Sequence, residues 1–177
     1  MNWLGVSRVA VLGLALSVWC EGGQAASSSD WDRCKDVNNA DAVARSLAAC
    51  TRILNDRGQA KYHAMALRNR CGIRITDGDY EEALVDCNRA ARMEPDSAIV
   101  FIRRGMIYDK KKDFDRAIAD YNEAIRIDPN RADAHFNRAL VWESKGDTDR
   151  AIEDYSRAVR LNPDDDEARA ALRRLRR

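Results

Sequence analysis

Proline and glycine are scarce, three and nine in 177 residues. That excludes a collagen-like or linker-dominated chain. Net charge is nearly absent, with 30 lysines and arginines against 29 aspartates and glutamates. No global basic field therefore draws the chain onto nucleic acid. Histidine is nearly absent too. His63 and His135 are the only two, and neither has a partner at a spacing that suggests a metal site or a triad. No Cys-x2-Cys pair marks a zinc site. No glycine-rich loop opens a helix after a strand, and no strand pattern exists for one to follow. Charge is abundant though balanced, at 33% of residues, and 45% are apolar, which excludes wholesale disorder. The residue types left in quantity are those of an ordinary folded chain, and one domain is the prior at this length.

Long hydrophobic runs are missing but for one, and that one is short. Residues 9–19 (VAVLGLALSVW) follow Arg8. Eleven residues fall well below the roughly 20 that span a membrane. A positive start, a short apolar run and small residues afterward form a secretory signal. Gly23, Gln24 and Ala25 offer the cleavage site, with the mature chain starting near Ala26. Residues 1–25 thus read as a signal peptide, and the mature chain as periplasmic or secreted. Two rival readings exist. A lipid anchor on Cys20 would follow Trp19, which is bulky where lipoprotein signals carry a small residue. A buried N-terminal helix would need a polar face, and this run has almost none. No later stretch approaches a span, so no integral membrane segment is expected after cleavage.

The rest of the chain repeats itself. Pro95, Pro129 and Pro163 recur every 34 residues, as do Asp79, Asp113 and Asp147. Ala83, Ala117 and Ala151 share the period, and so do Ala90, Ala124 and Ala158. Residues 98–131 and 132–165 are identical at 13 of 34 positions without a gap. Each unit reads as two helices. In 98–131 the first is AIVFIRRGMIYDKK and the second FDRAIADYNEAIRID. Asp113 stands at the N-cap of the second, with Asp79 and Asp147 in the same place. Glu82, three residues after Asp79, would complete a capping box. Pro129 ends the second helix. Ala117, Tyr121 and Ala124 share one helical face, where small residues let two helices approach. Glu123/Arg126 and Glu153/Arg157 read as solvated surface pairs.

This pattern resembles the tetratricopeptide repeat, whose signature is Trp-x2-Leu-Gly-x2-Tyr, then Ala-x3-Phe, Ala and Pro. Residues 98–131 carry Phe101, Gly105, Tyr108, Ala117, Tyr121, Ala124 and Pro129. Residues 132–165 carry Ala139, Trp142, Ala151, Tyr155, Ala158 and Pro163, with His135 where a large aromatic is usual. Residues 64–97 keep Leu67, Ala83, Ala90 and Pro95 and depart at Cys71, Arg74 and Cys87. The resemblance implies an all-α fold: a right-handed α-solenoid of helix-turn-helix repeats whose concave groove binds peptide segments. The expected units are 26–63, a degenerate opening hairpin and linker; 64–97, 98–131 and 132–165, the three repeats; and 166–177, a capping helix. That last helix would pack Ala168, Leu172 and Leu175 on the third repeat and turn its arginines to water. Residues 55–63 read as a loop.

Four cysteines remain after cleavage, and an exported chain can oxidise them. Three pairings are possible. Cys34 and Cys50 are 16 apart, as are Cys71 and Cys87. In 64–97 the turn centres near Asp79, eight residues from each cysteine. In an antiparallel hairpin they sit at equal height, about 12 Å from the turn. They also replace residues that pack between the helices of the sister repeats (Gly105 with Tyr121, Ala139 with Tyr155). Cys71–Cys87 therefore fits as a bridge, and Cys34–Cys50 by the same spacing.

No residue set suggests catalysis, metal binding or a cofactor. The carboxylates recur with the repeat, which argues for caps and surface pairs rather than acid–base chemistry. The expected function is a non-catalytic interaction module that holds a segment of a protein partner. The family resemblance puts the first helix of each unit on the concave side. At 100° per residue, the face opposite each hairpin core carries Arg68 and Asn69, then Ile102, Arg103 and Met106, then Phe136, Asn137 and Leu140. The arginines and asparagines would bond a peptide backbone or carboxylate. Some family members clamp a terminal carboxylate with lysine and asparagine there. In this chain Ile102, Met106, Phe136 and Leu140 occupy much of that face, which favours a mixed apolar and polar guest. The alternative is a structural or assembly subunit acting by self-association.

Overall fold

A computed structural model describes residues 25–35 and 43–176. The export signal read at 1–25 lies, but for Ala25, outside the described residues. The described residues form nine α-helices: α1 (Ser28–Lys35), α2 (Val43–Asn55), α3 (His63–Asp77), α4 (Tyr80–Met93), α5 (Ala98–Lys110), α6 (Phe114–Ile127), α7 (Ala132–Ser144), α8 (Thr148–Leu161) and α9 (Asp166–Leu175), with a 3-10 helix between α2 and α3. They form a right-handed α-solenoid of stacked hairpins. None of these helices is long and apolar enough to cross a membrane.

Each hairpin is built from the same local parts. The Asp113 carboxylate accepts from the Arg116 N–H at 3.2 Å, and Asp147 accepts from Arg150 N–H at 3.1 Å. These bonds satisfy donors that α6 and α8 would otherwise leave open. Asp79 occupies the same place before α4, but its side chain makes no capping bond. The capping box with Glu82 does not form, and Arg74 donates to the Glu82 main-chain carbonyl at 3.2 Å. The tight turn inside the hairpins α3/α4, α5/α6 and α7/α8 needs a left-handed residue. Gly78 and Gly146 supply it with φ of 89° and 79°, whereas Lys112 takes φ 60° at the equivalent point. On the surface Glu123 pairs with Arg126, but Glu153 and Arg157 do not pair.

The core runs between the two helices of a hairpin and on into the next hairpin. Ala117, Tyr121 and Ala124 of α6 are buried in one cluster with Ala98, Ile102 and Tyr108 of α5 and with Ala134 and Val141 of α7. Gly105 is required there. A Cβ at that position would stand 2.7 Å from the Tyr121 ring. In the hairpin α3/α4 both residues of this pair are cysteines, and Cys71–Cys87 is a disulfide with Cα atoms 5.6 Å apart. Cys34–Cys50 joins α1 to α2 in the same way, at 4.9 Å. All four cysteines are fully buried, so the bridges replace aromatic packing in the two N-terminal hairpins.

The stretch expected as a loop before α3 is a 3-10 helix, Arg57–Tyr62. The Asp56 carboxylate organises it by accepting from the N–H groups of Gly58 and Ala26, at 2.9 and 3.0 Å. Tyr62 meets Trp31 edge-on, with ring centres 4.3 Å apart. At the other end Asp165 caps α9 through the Ala168 N–H at 2.9 Å. Ala168 and Leu172 are buried, and Leu172 and Leu175 pack with Ala139, Ala151 and Tyr155. That is the seating expected for a capping helix.

Three arginines tie the stack together. Arg104 on α5 donates from Nε and Nη2 to both Asp120 oxygens on α6, at 2.8 and 2.6 Å. Its Nη1 reaches back 3.0 Å to Asn88 on α4. Arg138 does the same to Asp154 and Asn122, and Arg70 to Asp86 and Thr51. Each guanidinium thus holds its own hairpin and the preceding one in a planar fork. These positions recur every 34 residues, so the pattern was present in the sequence. His135 is structural as well: it is buried between Asp154 Oδ1 and the Pro129 carbonyl, each 3.3 Å away.

Candidate functional site: the inner wall

Curvature decides which face is concave. The first helices are close enough to touch in series, α3 with α5 and α5 with α7, whereas α4, α6 and α8 meet their counterparts at most marginally. The first helices therefore form the inner rank, and their outward faces make the wall of the groove.

At the N-terminal part of that wall, Arg103 lies across α3. Its Nη1 donates to the Arg68 carbonyl. Gly72 makes room for it, since a Cβ there would come within 2.9 Å of the guanidinium carbon. No carboxylate pairs with Arg103 among the described residues. Its other two nitrogens have no protein partner, and because no unpartnered side-chain N or O atom among the described residues is fully buried, they open to solvent. Burial, with Arg68 and Arg131 nearby, pushes its pKa down to about 10. Arg68 is bound to Glu94 at 3.0 Å and Arg131 to Asp133 at 2.6 Å. Arg103 is thus the surplus cation of this region. The side-chain amides of Asn69 and Asn137 are half-buried and bond no other described group.

At the C-terminal part, Phe136 and Leu140 of α7 line a cavity of about 260 Å³ with Ala170, Ala171 and Arg174 of α9. Phe136 rests on Tyr155, ring centres 5.7 Å apart. Beside it a more open hollow of about 450 Å³ is lined by Asp109, Leu140, Glu143, Ser144 and Arg174. Arg174 donates to both Glu143 oxygens at 2.6 and 2.8 Å, and the Tyr155 hydroxyl donates to Glu143 at 3.0 Å. Asp109 makes no hydrogen bond or ion pair there, and burial raises its pKa.

Of the eight residues expected on the wall, Ile102 is withdrawn from it. It is 2% exposed and packs in the cluster with Ala134 and Val141 of the next hairpin, so a guest cannot reach it. Met106 is half-buried over the same cluster. The other six keep partial exposure. Asp109, Glu143 and Arg174 were not among the expected residues. Asp109 and Glu143 are 34 residues apart, but so are most acids of the chain, and spacing alone does not separate them.

A sequence model of the tetratricopeptide repeat matches residues 73–132 and 102–166. No curated protein matches the chain. Among solved structures, one similar to it is the first such domain of Spaghetti (RPAP3) bound to the HSP90 peptide SRMEEVD, at 24% identity and TM-score 0.62. That match covers 64% of this chain and 90% of that one. Another is the second such domain of human RPAP3 in complex with the HSP70 peptide SGPTIEEVD, at 23% identity, TM-score 0.60, and coverage of 64% and 95%. A third is MamA, at 19% identity, TM-score 0.68, and coverage of 76% and 77%. At these identities the likeness is one of fold.

Proposed function

The chain belongs to the tetratricopeptide repeat family, and from that footing we propose that it is a non-catalytic interaction module whose inner wall holds a segment of a partner protein. The observation that carries this is Arg103. A cation that is desolvated, has no acid partner and keeps donors open to the groove is poised for an acceptor on a guest. Phe136 and Leu140 supply an apolar seat one repeat further on, and Asn69 and Asn137 offer amides to a guest backbone. The solved relatives that hold peptides support the choice of ligand class. The mechanism is pre-organisation. The arginine forks fix the inner helices before a guest arrives, so little side-chain entropy is lost on binding.

The module acts outside the cytoplasm in this reading. Support comes from the signal-like start of the sequence, a positive residue followed by a short apolar run and small residues, and from two buried disulfides, which persist in oxidising compartments. The test is capture of partner from the compartment of export, followed by its identification. Arg103→Glu and Phe136→Ala are expected to weaken capture while leaving helical circular dichroism intact. Unchanged capture by both removes the groove assignment.

A further inference from the structure

We propose that the guest is a segment bearing opposite charges, with a carboxylate that meets Arg103 and, about 9 Å further along α5, an ammonium or guanidinium that meets Asp109. The inference rests on the groove reading above and gives the guest its chemistry. Most charges on the inner wall are already matched. Arg68 is bound to Glu94, Arg131 to Asp133, and Arg174 to Glu143. Subtracting these pairs leaves, on the groove side of α5, one cation, Arg103, and one anion, Asp109; Glu167 of α9 is a further acid, exposed at the edge of the Phe136 cavity. The positive groups nearby are Lys110, the next residue on its own helix, whose charge acts on Asp109 from an exposed position, and Arg174 in the same hollow, which is bound to Glu143. Both surplus charges are on α5, six residues apart. They lie on opposite sides of Met106, Arg103 in the valley toward α3 and Asp109 in the hollow toward α7.

This arrangement describes a guest. A chain crossing α5 obliquely over Met106 passes one charge and then the other. At about 3.3 Å per residue an extended segment spans that interval in three to four residues. Apolar side chains beside the pair would find Met106, Leu140 and Phe136. A guest with two acids would place one against Asp109, and a guest with two bases would place one against Arg103. Like-charge contact in a partly desolvated groove works against both, so the wall discriminates by repulsion as well as attraction.

The test uses the full chain with both disulfides formed. A random twelve-residue peptide library displayed on phage is selected against it, and enriched peptides are measured by fluorescence anisotropy. The expected peptides carry an acid and a base three or four positions apart. Arg103→Glu lowers their affinity at least tenfold, and exchanging the peptide's acid for lysine restores it. Asp109→Lys behaves in the mirrored way when the peptide's base is exchanged for glutamate. If a reversal unfolds the protein, Arg103→Gln and Asp109→Asn take its place, and each should erase the preference for the charge it faced. Peptides that need Phe136 but show no recovery on charge exchange, or that couple to Arg103 alone, overturn this inference and leave the groove reading standing. Peptides indifferent to Arg103, Asp109 and Phe136 overturn both. A second copy of the chain filling the groove, seen as dimers in sedimentation that Arg103→Glu dissociates, overturns the inference as well.

Discussion

Replacing Arg104 with leucine isolates the device that holds the stack together. In the native protein the guanidinium covers both oxygens of Asp120 and the side-chain oxygen of Asn88. The Asp120 side chain is 8% exposed and that of Arg104 21%. Removing one partner of a buried pair leaves an uncompensated charge, at a cost of about 3–5 kcal/mol. Because a fifth of Arg104 already faces water, solvent can reach the orphaned carboxylate, and the lower end, about 3 kcal/mol, is expected. The companion variant Arg104→Leu/Asp120→Leu removes the charge as well, and apolar replacement of a whole buried pair is commonly neutral. It should recover most of the loss. Urea unfolding followed by circular dichroism at pH 7 measures both, and the double-mutant cycle with Asp120→Leu gives the coupling. Arg126→Ala, which breaks an exposed pair, serves as the control and should leave the midpoint in place. A loss under about 1 kcal/mol for Arg104→Leu, or a double variant no better than the single, would refute the claim that these forks fasten one repeat to the next.

Three further outcomes follow from the same structure. Each disulfide closes a loop of 16 residues, which corresponds to about 3 kcal/mol; reductant should therefore lower the urea midpoint markedly, and hydrogen exchange should rise first in residues 28–93 and last in 132–161. Lys112 holds a left-handed conformation that its sister positions give to glycine, so Lys112→Gly should raise stability by about 1 kcal/mol, and a lowered melting temperature would contradict this. Acid should unfold the chain through carboxylates held below their usual range, the two buried ones foremost. Arg52, helped by the Ser27 N–H, holds Asp30 well below the usual range; at Asp154 burial pushes upward, but Arg138 and His135 outweigh it and the net shift is down. Folded carboxylates that bind protons less tightly than unfolded ones, near 3.9, stabilise above that value and lose the contribution as pH falls through their folded pKa. Unfolding free energy should thus be level from pH 7 to 5 and fall below about 4, more shallowly in Asp30→Asn.

The parts of the fold legible in the sequence are those governed by one helix or one hairpin. The prolines, the capping aspartates and the Ala–Tyr–Ala face follow from local rules, and the equal spacing of the cysteines about the turn followed from rise per residue. The inner wall is set by relations between hairpins, which a single helical wheel does not contain. Ile102 lies opposite the core of its own hairpin, yet α7 covers it. Arg103 reaches across to a hollow that exists because residue 72 of another helix lacks a side chain. The arginine forks fall between these cases, because Arg70, Arg104 and Arg138 announce themselves by period but not by partner.

The hairpins solve one packing problem in two ways, and the difference bears on the groove. In α5/α6 and α7/α8 a tyrosine fills the space opposite a small residue, and in α1/α2 and α3/α4 a disulfide closes it. A tyrosine needs room from the facing helix, which Gly105 shows by having none to spare. A disulfide draws the helices together without that bulk and does not depend on neighbouring hairpins for its strength. Terminal repeats have a neighbour on one side only, so half of their interface contribution is missing. At the C-terminus α9 supplies it with Leu172 and Leu175. In the N-terminal half each bridge joins the two helices of its own hairpin, and this closure is covalent. The Arg103 end of the wall is built on α3, so reducing Cys71–Cys87 should loosen that end before the Phe136 end. A guest anchored on Arg103 should then dissociate faster under reductant while one seated only on Phe136 and Leu140 should not. Equal acceleration of both would show that the wall moves as a single body.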